Sequence, residues 1–213
     1  MEIMNPRISE IIYENKINDI TKLCNEEETD IYETFFEGDI QNDIDLQKIY
    51  ISKCKFSNCK YINVTLNKLN VTDVIFENCD FSNSKFNDGS FVRVKFINCK
   101  LVGCEFSECN LFNTQIIECN LAYTNITMSN IKNTNIEGSN LSRGSISGCK
   151  LNKVVFLEDT LTSTNLFGTD LNKIDFTTCD ISGIIIDPVK IKGMIVNEFQ
   201  AIELSKLLGT IIK

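Results

Sequence analysis

A large apolar residue stands on every fifth position of this chain from Ile51 to Ile186, 28 times in succession. Phe76, Phe81, Phe86, Phe91 and Phe96 show the spacing at its plainest. Neither a helix, with a period of 3.6, nor a strand, with a period of 2, puts one large apolar side chain on each fifth residue and leaves polar ones between. A second column lies two residues before each centre and holds mostly small side chains, from Cys54, Cys59 and Val64 through Cys119 to Ile184. A repeat this short makes a solenoid, in which each unit buries its apolar side only against its neighbours.

The order small–polar–large–polar–polar, as in Cys79-Asp80-Phe81 and Cys109-Asn110-Leu111, resembles that of the pentapeptide-repeat family, and it runs from 51 to 186 without a register break. The resemblance implies an all-β fold: a right-handed quadrilateral β-helix, four pentapeptides per coil and one per side. A weaker period of twenty supports it. One face reads Phe56, Phe76, Phe96, Ile116, Ile136, Phe156, Phe176, and the next begins Tyr61, Phe81, Leu101, Leu121. Like stacks on like, as coils piled at the strand spacing require, and seven such coils make a rod of about 34 Å. Each large inward side chain contributes about 1.5–3 kcal/mol on burial. Centres at Ile31, Phe36 and Leu46 keep the phase, so an eighth coil is expected, broken near Asp39-Ile40-Gln41. The expected organisation is an N-terminal cap segment at 1–30, the β-helix at 31–187 and a C-terminal cap at 188–213. In the first of these Ile8, Ile11, Ile12, Ile17, Ile20 and Leu23 fit helix or strand equally loosely.

Asp187-Pro188 should end the regular coil, because proline cannot donate a ladder hydrogen bond. Asn197 followed by Gln200 has the spacing of a capping box, which predicts a short C-terminal capping helix at about 198–208 with Gly209 as its stop. Its apolar residues exceed what one coil end needs covered. The excess points to a homodimer contact through Phe199, Ile202, Leu204, Leu207 and Leu208; a tightly packed monomeric cap is the other reading.

The chain has no histidine, which removes Ser-His and Cys-His nucleophile pairs and His-containing zinc sites. Nine of its ten cysteines fall in the small inward column, and Cys59, Cys79, Cys99, Cys119 and Cys179 share one face. A metal ladder or a disulfide framework is the chemical reading. Packing is the plainer one, since valine, serine and threonine alternate with cysteine there and a free thiol behaves as a small hydrophobe. No metal and no cofactor are expected. Asp159 is the anomalous inward position: either a satisfied or outward-turned carboxylate, or a functional notch. Gly89 and Gly144 read as backbone accommodations. With side chains filling the interior no cleft is expected, and the protein is not expected to be an enzyme.

Charge is uneven. Residues 1–50 carry 13 acidic and 4 basic side chains, residues 51–186 carry 13 of each, and 187–213 carry 3 and 4, so the overall −8 belongs to the N-terminal quarter around Glu26-Glu27-Glu28 and Asp30 to Asp45. No basic stripe stands out, so direct nucleic-acid binding is not expected. No apolar run approaches the roughly 20 residues of a bilayer span and the start has no leader layout, so no membrane association is expected and the protein reads as cytoplasmic.

Within the pentapeptide-repeat family the chain resembles the quinolone-resistance (Qnr) branch. The resemblance rests on length, on the stretch from Phe76-Glu77-Asn78-Cys79-Asp80-Phe81 to Gly89-Ser90-Phe91-Val92-Arg93, and on the ending Phe199-Gln200-Ala201-Ile202-Glu203-Leu204 with Leu207-Leu208-Gly209. It implies a dimeric, DNA-shaped rod that binds DNA gyrase or topoisomerase IV and lowers quinolone sensitivity. The unbroken register lacks the two projecting loops of Gram-negative members and looks more like the loop-less Gram-positive relatives. The candidate partner-binding face carries Glu77, Glu118, Glu137, Glu158 and Asp175 against Lys55 and Lys95. The preceding face is basic, with Lys53, Arg93, Lys132, Lys150, Lys153 and Lys173 against Asp73 and Asp170. A duplex of that length shows about 20 charges, and this coil has a net of zero. The alternative is therefore a β-helical protein-interaction scaffold with an unrelated partner.

Overall fold

The computed structural model describes residues 3–9, 16–24, 29–46, 48–207 and 209–211. The chain winds as a right-handed, four-sided β-helix in which parallel rungs pair residue i with residue i+20: Val71 with Phe91, Phe91 with Leu111, Leu111 with Ile131, Ile131 with Leu151. The early coils hold short strands β1 Lys16–Ile17, β2 Thr29–Tyr32, β3 Phe35–Glu37, β4 Ile40–Asn42, β5 Ile49–Ser52, β6 Lys55–Ser57 and β7 Lys60–Ile62. Then come β8 Asn70–Glu77, β9 Ser90–Ile97, β10 Asn110–Phe112, β11 Gln115–Ile117, β12 Asn130–Glu137 and β13 Lys150–Leu157. From β8 onward these strands occupy two adjacent sides. The other two sides are turns, tied to the next coil by single bridges such as Asp80 with Lys100 and Lys85 with Glu105.

The corners explain the period. From Glu33 to Gly193, every residue two places after a centre has φ between +44° and +81°, except Thr178 and Pro188. That left-handed conformation is closed to proline and hostile to β-branched side chains, and it favours Gly, Asn and Asp. Gly and Asn are accordingly frequent in the column, neither Val nor Ile occurs in it, and its one threonine leaves the left-handed region.

Inside, 27 of the 28 apolar centres are buried; Leu151 alone is only partly so. Phe36, Phe56, Phe76 and Phe96 form one continuous stack, with ring centroids 4.4, 5.0 and 4.9 Å apart. Such ring pairs add about 0.5–1.5 kcal/mol each beyond the area they bury. The small column does more than fill space. The hydroxyls of Ser84, Thr124, Ser129, Thr164 and Thr169 donate to the carbonyl 23 residues earlier at 2.6–2.9 Å. Those of Ser84, Ser129 and Thr169 also accept the amide 20 residues earlier. Thiols make the same bond to the carbonyl, Cys104 to Phe81, Cys109 to Phe86 and Cys149 to Ile126. Gly89 and Gly144 stand where a Cβ would come within 2.7 and 2.8 Å of the carbonyls of Phe86 and Thr124.

The expected break near Asp39-Ile40-Gln41 does not occur: Ile40 pairs with Lys60 and Gln41 with Tyr61 in unchanged register. The polar inward residues there hold the N-terminal cap. Asp39, 0% exposed, accepts the Ile20 amide at 2.9 Å, the Tyr61 hydroxyl at 2.6 Å and Gln41 Nε2 at 2.8 Å. Ile20 opens a single 3-10 turn, Ile20–Lys22, and is buried over the first coil. Residues 3–9 are neither helix nor strand. They lie outside the coil, where the Arg7 amide donates to Asp73 Oδ1 and Gln115 Nε2 donates to Asn5 Oδ1, each at 3.0 Å. Ile11 and Ile12 lie outside the described residues.

At the other end Pro188 does not stop the coil. Leu171 N–H still donates to Lys190 O, Phe176 N–H to Ile195 O and Ile195 N–H to Ile174 O, so a further turn is laid down before the helix α1, Glu198–Leu207. The capping box is present: Gln200 N–H donates to Asn197 Oδ1 at 3.0 Å, and Asn197 N–H to Gln200 Oε1 at 2.9 Å. Gln200 Nε2 in turn donates to the carbonyls of Phe176 and Cys179, both at 2.8 Å, closing backbone acceptors that no further coil can reach.

One interruption divides the rod. On its two strand sides, among the described residues, no backbone bond or bridge joins β13 to the coil at 170–177. The turn sides stay bonded there, with Thr160 bridged to Asp180 and Asn165 to Ile185. Two carboxylates of that coil make local turns. Asp170 Oδ1 accepts the Asn172 amide at 3.0 Å and Asp175 Oδ1 accepts the Thr177 amide at 2.9 Å. The same turn at Asp80, Asn140 and Asp180 leaves their bridges in place, so it does not by itself open a ladder.

Candidate interaction surface

Seen from outside, the rod is a set of charged columns whose members face each other across coils. Asp73 and Arg93 form a two-pronged pair at 2.6 and 2.8 Å. Burial works to raise the Asp73 carboxyl, but Arg93 and the Arg7 amide and charge together outweigh it and its pKa is lowered. Lys55 pairs with Glu77 at 2.8 Å, Lys85 with Glu105 at 3.4 Å, Lys53 with Glu33 at 3.6 Å and Lys100 with Asp80 at 3.7 Å. The acidic N-terminal quarter is not a bare patch either: Asp39 points inward and Glu33 is paired, while Glu26, Glu27 and Glu28 lie outside the described residues.

The five carboxylates of the candidate partner face fall into three columns on and beside the Phe56–Phe176 side. Glu77 and Glu137 follow their centres directly, three coils apart. Glu118 and Glu158 occupy left-handed corners two coils apart. Asp175 precedes its centre, and its bonds to the Thr177 hydroxyl and amide lower its pKa. Glu137 accepts from Asn135 Nδ2 at 3.1 Å. Between them the same side shows Ile75, Ile97, Ile117, Val155 and Leu157, so its outer surface is as apolar as it is acidic.

Asp159 does point inward and is 2% exposed. It takes the hydroxyl's place in the small column: Oδ1 accepts the Ser139 amide at 2.7 Å and Oδ2 the Leu157 amide at 3.1 Å. Burial pushes its pKa up to about 7 against those two bonds, and nearby Glu137 adds to the rise. All ten cysteines are free thiols. Burial lifts Cys54 and Cys149 to about 11 and Cys104 and Cys109 to about 12. Along the Cys59–Cys79–Cys99–Cys119 ladder, sulfur–sulfur hydrogen bonds and burial hold Cys79 and Cys119 well above the usual thiol range. Among the described residues no group of three or more Cys, Asp or Glu has metal-site geometry, and no helix is long and apolar enough to cross a membrane.

Of the expected dimer residues, Phe199 is 72% exposed, and Ile202 and Leu207 are about half exposed. Leu204 packs on the core instead, and Leu208 lies outside the described residues. The expectation that the rod has no cleft is corrected. A groove of about 560 Å³ opens on the side of Leu151, lined by Gly148, Cys149, Lys150, Gly168, Asp170, Asn172, Lys173 and Lys190. It lies over the interrupted ladder and accounts for the exposure of Leu151. The sequence signal was faint: Asp170 and Asp175 stand where β13 has Lys150 and Val155.

A four-sided parallel coil, cornered every fifth residue in the left-handed region and filled by alternate small and large columns, defines a structural class. Residues 89–166 match the family model described as a pentapeptide repeat region. The same register continues on both sides of that match, from 51 to 186, so the chain resembles the pentapeptide-repeat proteins beyond the matched stretch. No curated protein sequence matches it. Among solved structures it is similar to full-length QnrB1, a plasmid-mediated fluoroquinolone resistance protein, at 19% identity over 92% of this chain and 95% of that one, TM-score 0.40. It is also similar to HetL, a pentapeptide repeat protein involved in heterocyst differentiation regulation from Nostoc sp. strain PCC 7120, at 12% identity over 78% and 87%, TM-score 0.31. A third is Rfr23, a pentapeptide repeat protein from Cyanothece 51142, at 15% identity over 67% and 91%, TM-score 0.37. At such identities no residue role passes from these proteins to this chain.

Proposed function

We propose that the protein is a non-catalytic interaction rod, a cytoplasmic β-helix that docks a protein partner against its outer sides and uses no cofactor or metal. The observation that carries this reading is the pairing of its charges across coils, from Glu33–Lys53 to Asp80–Lys100. Carboxylates matched by a cation one coil away do not reproduce the one charge per roughly 1.7 Å that a duplex displays. They suit a partner of mixed charge, and electrostatic matching then selects that partner more than it tightens binding.

A second reading has one observation in its favour. Helix α1 leaves Phe199, Ile202 and Leu207 open, and a homodimer through α1 covers them and doubles the rod. On this reading the rod enters DNA gyrase or topoisomerase IV in place of DNA and lowers quinolone sensitivity through Glu77, Glu118, Glu137, Glu158 and Asp175. The two are separated by titrating purified protein into gyrase supercoiling and quinolone-induced cleavage assays at low and moderate salt. The interaction-rod reading expects neither rescue nor inhibition at high micromolar protein. Rescue from the drug at low concentration overturns it, and loss of that rescue on joint neutralisation of Glu118, Glu137, Glu158 and Asp175 then locates the face.

A further inference from the structure

One edge of the rod is covered by the chain itself. At the other three edges the corner residues from Asn58 to Gly183 stand exposed, Gly103, Gly148 and Gly168 excepted. On the edge between the Val71–Leu171 and Phe56–Phe176 sides, the column Asp73, Arg93, Asn113, Asn133 has no exposed member, and Asp73 and Asn113 are 5% and 1% exposed. Further along, Lys153 and Lys173 are open again. The cover is the segment at 3–9, tied on where the Arg7 amide meets Asp73 and where Gln115 Nε2 meets Asn5. Those ties lie two coils apart, so the segment runs along the rod and joins no strand. It sits on the edge as a peptide ligand would, and Pro6 keeps Asn5 in the extended form such a ligand takes.

The fit of this cover is incomplete. Asn113 Nδ2 and Ser9 Oγ are buried and, among the described residues, have no hydrogen-bond partner. A buried donor left unmade is a loss that a better-placed acceptor recovers. Asn113 is the one asparagine of the corners that is buried, so only what lies on the edge can satisfy it. Ile3, Pro6 and Ile8 are no more than half-buried, Met4, Asn5 and Arg7 are exposed, and ordering the segment costs backbone entropy. The Asp73–Arg93 pair is complete without Arg7, so lifting the segment strands no charge. Lys132, its ammonium 5.4 Å from the centre of the Phe112 ring, stands beside Asn113 and favours an anionic acceptor there. We propose that this edge, from Asp73 to Asn133, docks an extended peptide segment of a partner protein that brings a side-chain carboxylate to Asn113, and that residues 3–9 hold the edge as a built-in competitor. A main-chain amide to Asp73 and aliphatic side chains in place of Ile3 and Ile8 supply the remaining contacts. The proposal rests on the interaction-rod reading and names the chemistry of its partner.

The probe is a fluorescein-labelled peptide with the sequence of residues 3–9, followed by anisotropy against two full-length proteins. One is the wild type and the other Ile3→Asp/Ile8→Asp, which weakens the segment without shortening the chain. The expected result is saturable submillimolar binding to the variant and at least tenfold weaker binding to the wild type, whose edge is occupied at high effective concentration. Gln115→Ala added to the variant should weaken the probe at least threefold. A set of probes carrying Asp at each position in turn should include one that binds the variant at least tenfold more tightly than the parent. Asn113→Gly, which suits a left-handed corner, should abolish that gain. Should Ile3→Asp/Ile8→Asp fold poorly, Arg7→Pro removes only the amide bonded to Asp73 and carries the same expectations. Absence of saturable binding to the weakened variant overturns the proposal, as do equal binding to both proteins, indifference to Gln115→Ala, or an aspartate set without a gain. A wild type that sediments as a dimer and is dissociated by Ile3→Asp/Ile8→Asp gives the edge to the segment of a second copy and overturns it too. Failure here removes this edge and leaves the other sides of the rod, whereas rescue of gyrase from drug removes the interaction-rod reading itself.

Discussion

At Asp159 the small column meets a group it was not made for. Serine, threonine and cysteine in that column both accept an amide and donate to a carbonyl; an ionised carboxylate can only accept. When protonated it regains a donor, so burial and hydrogen-bonding capacity agree in favouring the neutral form. Its folded pKa, about 7, lies above the ordinary 3.8. The linked stability is therefore fully present below about pH 3.8 and is lost as the pH rises through 7. Asp159→Ser, which copies Ser139 one coil earlier, should leave stability near pH 4 little changed. At pH 8 it should raise stability by at least about 1 kcal/mol, some 2–4 °C in Tm. Parallel unfolding profiles of the two proteins from pH 4 to 8 would remove Asp159 as the source. The corners offer a second residue-scale test. Met128 is 68% exposed and sits at φ +54°, where a non-glycine residue is disfavoured by about 1–2 kcal/mol and asparagine by less. Met128→Asn should therefore stabilise by about 1 kcal/mol, read as a higher denaturant midpoint at unchanged m-value.

The elements at the two ends show how a solenoid closes itself. Both caps are tied on by one side chain: Asp39 of the coil accepts the Ile20 amide of the N-terminal cap, and Gln200 of the C-terminal helix donates to two carbonyls of the last coil. Gln200→Ala takes the donor from the Cys179 carbonyl and leaves the Phe176 carbonyl only the Cys179 amide, and should cost about 1–3 kcal/mol in urea unfolding. Gln200→Glu, which keeps the shape but cannot donate, should cost as much or more. Exposed apolar positions on the same helix give a different expectation. Phe199→Ser/Ile202→Ser should shift sedimentation from dimer to monomer without loss of the fold; an unchanged monomer in both proteins would end the case for α1 as a contact. The capping box and the stop at Gly209 were legible because they are local in sequence, three and a few residues apart. Asp39 was not legible as a cap, because its partner Ile20 belongs to a segment outside the repeat. The left-handed corner column could have been read from the absence of Val and Ile, a signal weaker than the apolar centres because Lys, Glu and Arg also occupy it. Which sides become strands and which become turns is not written in the period of five, since large apolar centres stand on all four sides alike.

On the scale of the whole molecule, coils couple mainly to their nearest neighbours, so the rod is as cooperative as its weakest junction. The junction after β13 is bonded on two sides out of four, with the Phe156–Phe176 ring pair at 5.2 Å and the Glu158 amide on Thr178 Oγ1 at 3.1 Å as further ties. Every earlier junction from β8 to β13 keeps its strand-side rungs. Stability along the rod should then be stepped. Native-state hydrogen exchange should find residues 170–207 opening together at a lower free energy than residues 70–157, a sub-global unit set by a junction and not by a domain boundary. Gyration of charge toward either end has no part in this, since the ion pairs that cross coils lie upstream of the junction, from Glu33–Lys53 to Lys85–Glu105. If the step in protection falls elsewhere, then the missing backbone bonds are not what limits coupling there, and packing at Leu151 and Leu171 is what to alter next.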